Sequence, residues 1–153
     1  MYDWSDEMFW IISTLILTAA IANIFFLLHL VVRGRSRKIV EQLRAQYGTD
    51  IMLVTGCGII STYSRVPGVL ALLRDRIVYK SAMSSERGEI LLQSIVEPNV
   101  EDASSTDHRR ARKYRNAKVL VIKTTKGELK LFAIAKSKAP DWENAFYEAM
   151  RDS

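Results

Sequence analysis

Few residues in this chain are of types that do covalent chemistry. Cys57, between Gly56 and Gly58, is the only cysteine, and His29 and His108 are the only histidines. A thiolate nucleophile needs a base beside it, and a hydroxyl nucleophile needs a His held by a carboxylate. One histidine falls in an apolar run and the other in a charge-rich loop, so neither set forms, and no His/Cys metal site can be assembled. No Gly-x-x-x-x-Gly-Lys-Ser/Thr or Gly-x-Gly-x-x-Gly phosphate loop occurs. The carboxylates are scattered, and no pair stands out as general acid and base. The expectation is a binding protein rather than an enzyme, with no catalytic, cofactor-binding or metal-binding residue and no cofactor. Cys57 reads as a small buried hydrophobe at a strand start. A lone cysteine excludes an internal disulfide and fits a reducing compartment.

The densest charged feature is His108–Arg115. Arg109, Arg110, Arg112, Lys113 and Arg115 place five basic residues in seven, shortly before Lys118 and after the acidic, small-residue stretch Glu97–Asp107. Such a cluster makes a local positive potential. Two readings stand: docking on an anionic bilayer or acidic partner, at about 1 kcal/mol per basic residue near the surface, or a solvated loop between strands. Nucleic acid is disfavoured, because no aromatic stacking platform accompanies the charge.

Charge also divides the chain. Residues 1–32 carry Asp3, Asp6 and Glu7 and no Lys or Arg, whereas the remainder holds all 22 basic residues against the other 14 acids. Within the acidic part, Met8–Val32 runs 25 residues without a formal charge. Roughly 20 residues suffice for a helix to cross a bilayer. Tyr2, Trp4 and Trp10 suit one interface, and Arg33, Arg35, Arg37 and Lys38 follow at the other. A cleaved signal peptide would carry basic residues before a shorter apolar core, the reverse of this order. The expectation is a single-pass protein of the cell (inner or plasma) membrane, N-terminus outside and C-terminus in the cytoplasm, with residues 1–7 outside, 8–32 spanning, 33–48 a basic juxtamembrane helix and 51–153 a cytoplasmic domain. Thr14, Thr18 and Ala22 share one face of the span at four-residue spacing. That face suits packing against another helix, of a second copy or of a partner; the alternative is that each Thr bonds back to its own helix.

The juxtamembrane helix carries an apolar stripe, Ile39, Val40, Leu43 and Tyr47, and Gly48 is a plausible stop. The stripe could dock on the domain, lie on the membrane or pair as a short coiled coil. Beyond it the pattern shortens to strands: Gly58–Ser64, Gly68–Arg74, Arg76–Ser81, Glu89–Glu97, Lys118–Thr125 and Glu128–Ala135, with Ile51–Thr55 as a further candidate. Val66-Pro67-Gly68 reads as a turn, Arg74-Asp75-Arg76 as a tight connection and Lys126-Gly127 as a hairpin corner. Pro140 opens a final helix whose Trp142, Ala145, Phe146, Ala149 and Met150 form one apolar face, with Trp142 as core anchor.

Pro67–Tyr79, with its Pro-Gly, apolar strand, polar corner and second apolar strand, resembles the early strands of GRAM and bacterial pleckstrin-homology-like (PH-like) domains. Glu89–Ile95, Lys118–Ala135 and Asp141-Trp142 resemble the segments that follow, over about residues 58–151. The resemblance implies an α+β fold in which the transmembrane helix precedes a PH-like antiparallel β-barrel or sandwich, capped by the C-terminal helix. It implies binding of lipids, peptides or other subunits. Members that recognise phosphoinositides use basic residues across the first hairpin, and this chain offers only Arg65 there. The expected function is a membrane-tethered adaptor that assembles a partner protein, or a second copy of itself, at the cytoplasmic membrane face. Alternatives are an anionic-lipid-responsive module and an accessory subunit of a larger membrane complex.

Overall fold

A computed structural model describes residues 4–61, 64–104, 109, 111–112, 114 and 116–151. Its first helix, α1, covers Trp4–Tyr47. The chain divides into two compact units, Met1–Gly34 and Arg35–Ser153.

In the first unit, α1 is long and apolar enough to cross a membrane, with a mean hydropathy of 2.5 over its most apolar stretch and none of that stretch buried. Phe9, Trp10, Leu15, Ile16, Phe25 and Phe26 all stand exposed. The Thr14 hydroxyl donates to the Trp10 carbonyl at 2.8 Å, and Thr18 to that of Thr14 at 2.7 Å. Both hydroxyls are thus satisfied within their own helix.

The second unit opens with the end of α1. Tyr47 is its last residue, and Gly48, at φ +52°, takes the left-handed turn that ends many helices. Seven strands follow among the described residues: β1 (Ile51–Ile60), β2 (Arg65–Leu73), β3 (Arg76–Ser81), β4 (Arg87–Leu91), β5 (Ile95–Asp102), β6 (Ala117–Thr124) and β7 (Leu129–Ala135). They form one antiparallel sheet in the order β4-β3-β2-β1-β7-β6-β5. The expected barrel is therefore not closed: β4 and β5 are free edges. Helix α2 (Ala139–Arg151) packs against β1, β2 and β5.

Several boundaries differ from the sequence expectation, each for a local reason. Ile51–Thr55 and the strand after Gly58 are one strand, because Gly56 and Gly58 sit inside a continuous pairing with β2. Val66-Pro67-Gly68 is not a turn. Pro67 lies in β2 just beyond the end of the β3 ladder, where its missing N–H removes no strand bond and its carbonyl accepts the Ala82 N–H. Glu89–Glu97 is two strands, split by a single 3-10 turn at Leu92–Ser94. That corner is held by the Ser94 hydroxyl on the Leu91 carbonyl and the Leu92 N–H on the Asp75 carbonyl. Much of the acidic stretch after Glu97 belongs to β5.

The inner core gathers Leu70, Leu72, Ile77, Leu120, Ile122 and Phe132 under Trp142 and Phe146 of α2. Trp142 is fully buried, as its place on the apolar stripe predicts, whereas Met150 is 44% exposed and lies outside the core. The opposite face is apolar too. Val69, Ala71, Leu73 and Val78 have the other strand parity and are also buried. Their cover is the tail of α1. Ile39 and Leu43 are buried, the Lys80 ammonium donates to Gln42, the Tyr47 hydroxyl to Glu89, and Arg35 reaches the Ala82 carbonyl at 3.4 Å. Of the three fates open to the juxtamembrane stripe, docking on the domain is the one observed.

Truncating a buried Ile or Leu to Ala costs about 2–5 kcal/mol. Ile39→Ala and Leu43→Ala in the full-length protein in mild detergent should each lower the urea midpoint of domain unfolding by an amount in that range, and Val40→Ala, half-buried, by clearly less. Equal, negligible losses at all three positions would show that the tail does not cover the sheet.

Candidate binding surfaces

Of the basic cluster, Arg109 and Arg112 are described and exposed; His108, Arg110, Lys113 and Arg115 lie outside the described residues. The segment is pinned at two other positions. Ala111 is fully buried in a second apolar cluster on the outer face of β6 and β7, with Ala103, Val119, Val121 and Leu131, and Tyr114 packs against the same cluster. The Tyr114 N–H bonds the Ala111 carbonyl at 3.0 Å, and the Ala117 N–H bonds that of Tyr114 at 2.9 Å. Charge dominates this segment in sequence, but the small and aromatic residues between the cations do the anchoring. Of the four cations in Arg33–Lys38, Arg35 bonds the domain, while Arg33, Arg37 and Lys38 are exposed.

Tyr114 also receives the first hairpin's lone cation. The Arg65 guanidinium lies over its ring, 5.0 Å from the centroid, a cation–π contact. To reach it, the Arg65 side chain crosses Gly58 so closely that a Cβ there would collide with it. The glycine is thus explained by a close approach, and Arg65 is held from both sides. Beneath it, Cys57 is buried, and burial pushes its thiol up to about 12, offset in part by the positive charge of Arg65. An inert, buried thiol is what the sequence predicts. Arg65, Gly58 and Tyr114 were not legible as a group: 49 positions separate Arg65 from Tyr114, and only the fold of β1, β2 and the β5–β6 connection brings them together.

A second surface lies between the β5 edge and α2. Pro98, Val100, Phe146, Tyr147 and Met150 line a groove of about 540 Å³. Tyr147 is 73% exposed, the highest value among the large apolar and aromatic side chains described in the second unit. Strand register places Val119 opposite both Glu101 and Ala133. Ala133 pairs with β1 through Gly58, so alternation turns the backbone groups of Pro98 and Val100 to the open edge. Pro98 thereby costs no ladder bond and removes one outward donor. The sequence offered Tyr147 no role, since it stands off the buried stripe.

The other edge is engaged. Arg76 bridges Asp75 at 2.7 Å and Glu89 at 2.9 Å. The Arg76 hydrogen bond is the largest influence holding the Asp75 carboxyl below the usual carboxylate range. Desolvation, then the hydrogen bond to Glu89, raises the Tyr47 phenol. No group of three or more His, Cys, Asp or Glu that could hold a metal ion exists among the described residues.

No protein-family model matches the chain, and no curated protein matches it in sequence. In fold it is similar to the C-terminal domain of an unknown protein from Leishmania infantum, with a TM-score of 0.55 at 11% identity over 73% of this chain and 98% of that one. It is similar to a chain of the 8S snRNP assembly intermediate, with a TM-score of 0.50 at 7% identity over 68% and 84%. A structure of the Vav1 exchange factor, whose description names its PH and C1 domains, aligns at 16% identity over 75% of this chain and 33% of that one. The TM-score of that alignment is 0.44. At such identities the first two likenesses bear on fold alone.

The Cys57 thiol gives a pH signature. Its folded value, about 12, lies above the ordinary 9.0, so its contribution to stability is complete below pH 9 and is lost as pH rises from there toward 12. The urea midpoint of the full-length protein should fall more steeply over that window than that of Cys57→Ala. Parallel pH profiles for the two proteins would contradict the burial.

Proposed function

We propose that this chain is a membrane-tethered, PH-like adaptor that holds a partner protein at the cytoplasmic membrane face, and that it works by binding rather than catalysis. The observation that carries this reading is the groove between β5 and α2. Trp142 and Phe146 of α2 are buried, yet Tyr147, off that stripe, and Met150 stand open beside an unpaired strand edge. Exposed apolar side chains rimming a groove mark an interaction surface, and a free edge offers main-chain bonds to an extended segment. The occupant that fits is a short extended stretch of a partner with apolar residues at alternate positions. Its backbone would pair with Val100 and reach the Pro98 carbonyl. The uncharged helix and the basic residues after it support anchoring with the domain inside. The face of Thr14, Thr18 and Ala22 remains a second contact surface in this proposal.

The test is co-purification of the full-length protein from its native membranes in mild detergent. A stoichiometric partner is expected, lost from Tyr147→Glu and Met150→Glu and retained by Arg109→Ala/Arg112→Ala. A partner that stays with both groove variants would refute the groove, and a lone protein carrying bound lipid would favour the lipid-responsive alternative. Protease added to intact cells should leave the domain uncut; its digestion there would reverse the orientation.

A further inference from the structure

The outer face of β3 and β4 carries two cations that the fold does not balance. Two hydrogen bonds at the ends of the ladder fix its alternation. The Ser81 N–H bonds the Glu86 carbonyl, and the Leu92 N–H bonds that of Asp75. Tyr79–Gly88 and Ile77–Ile90 are therefore the hydrogen-bonded pairs between them. Lys80–Arg87 and Val78–Glu89 are the non-bonded pairs, in which side chains stand closest. Their parity is that of Val78, on the face that the tail of α1 covers. Lys80 and Arg87 thus face each other across adjacent strands, and like charges placed directly opposite are destabilising.

No carboxylate relieves them among the described residues. The Lys80 ammonium donates to the neutral Gln42 side chain at 3.1 Å, and the Arg87 guanidinium has neither a hydrogen bond nor an ion pair. Glu89 is taken by Arg76 and Tyr47. Glu86, beside Arg87 in the chain, and Glu41 of the helix tail form no ion pair. The two cations border a cavity of about 410 Å³ between α1 and the β3–β4 pair. Ile39 and Val78 give it an apolar, buried floor, and Gln46 stands exposed at its rim.

We propose that this cavity docks an acidic segment of a partner protein, seating one Asp or Glu carboxylate between Lys80 and Arg87 and an adjoining apolar side chain on Ile39 and Val78. A guanidinium fork matches the two oxygens of a carboxylate, and Lys80 gives up only a neutral amide to add a second charge. Glu89 lies in the same lining, so a single negative charge is tolerated there better than a double one. The apolar floor calls for a ligand whose charge and apolar group are neighbours, as successive side chains of a polypeptide are. A headgroup in a bilayer presents charge without that neighbour and leaves the floor unfilled. Half of the cavity is built by the tail of α1, so the site exists only while that tail is docked on the sheet. It is separate from the groove between β5 and α2, and its failure would leave the adaptor reading untouched.

The experiment is fluorescence anisotropy of the full-length protein in neutral detergent. The probes are a labelled peptide, Ser-Leu-Glu-Leu-Glu-Leu-Ser, and its twin with Gln in place of Glu. The Glu peptide should bind, and the Gln peptide about tenfold more weakly. Lys80→Gln and Arg87→Gln should each weaken the Glu peptide by about tenfold. Arg87→Lys, which keeps the charge and loses the fork, should show a smaller loss. Gln46→Trp, which fills the cavity and leaves both cations in place, should also weaken it, whereas Tyr147→Glu and Arg109→Ala/Arg112→Ala should not. Without peptide, Arg87→Gln should unfold at the same urea concentration as the native protein or a higher one, because it relieves a like-charge pair. A lower midpoint would make Arg87 a structural residue and overturn the proposal. Phosphatidylglycerol-doped micelles should not displace the peptide; displacement would assign the site to a headgroup instead. The proposal also fails if the Glu and Gln peptides bind alike, or if Arg87→Gln binds as the native protein does. Binding lost only in Tyr147→Glu would move the peptide to the other groove, sinking this proposal while supporting that one.

Discussion

The structure rests on one constraint: the sheet is apolar on both faces. From Gly68 to Leu73 every residue of β2 is buried, whichever side its side chain takes. A strand alternates its side chains between faces, so one cover cannot suffice. Helix α2 supplies the inner cover through Trp142 and Phe146. The outer face needs two more pieces: the tail of α1 over Val69, Ala71 and Val78, and the β5–β6 connection over Val119, Val121 and Leu131. Each outer cover is drawn from a strongly basic segment, and in each the apolar minority does the covering.

That accounts for what the sequence made legible. Local pattern, residue type and turn punctuation identify α2, its buried Trp142, the bounds of β3 and the uncharged helix, because those features are set within a few residues. Gly48 ended its helix and Lys126-Gly127 turned its hairpin through local chemistry of the same kind. The fate of the stripe Ile39–Leu43 was not legible. Its receptor is the outer face of β2 and β3; an unbroken apolar run such as Val69–Leu73 signals a strand covered on both sides but does not name the segment that covers the second. The basic segment misled in the same way, since Ala111 and Tyr114 look incidental among their charged neighbours.

The two glycines around Cys57 show a different limit. A glycine in a strand signals a bulge, a bend or a close approach, and sequence cannot choose among them. Here Gly58 gives room to a side chain from the neighbouring strand, and that side chain in turn rests on a ring from a distant connection. The interaction spans three elements, so no window of sequence contains it.

The two edges of the open sheet are treated unequally. Edge β4 is five residues long, and its Glu89 is bonded by both Arg76 and Tyr47. Short length and engaged charges are the usual defences of an edge against further pairing. Edge β5 is eight residues long and is interrupted by a register shift between Ile95 and Glu97 and by Pro98. Its defence is partial, and it borders exposed apolar side chains from α2. Stability alone gives no reason for a large aromatic at position 147, because a Tyr that is 73% exposed gains little from burial there. A sheet that engages one edge and leaves the other beside Tyr147 has an open surface there, the one on which the proposed partner segment would pair.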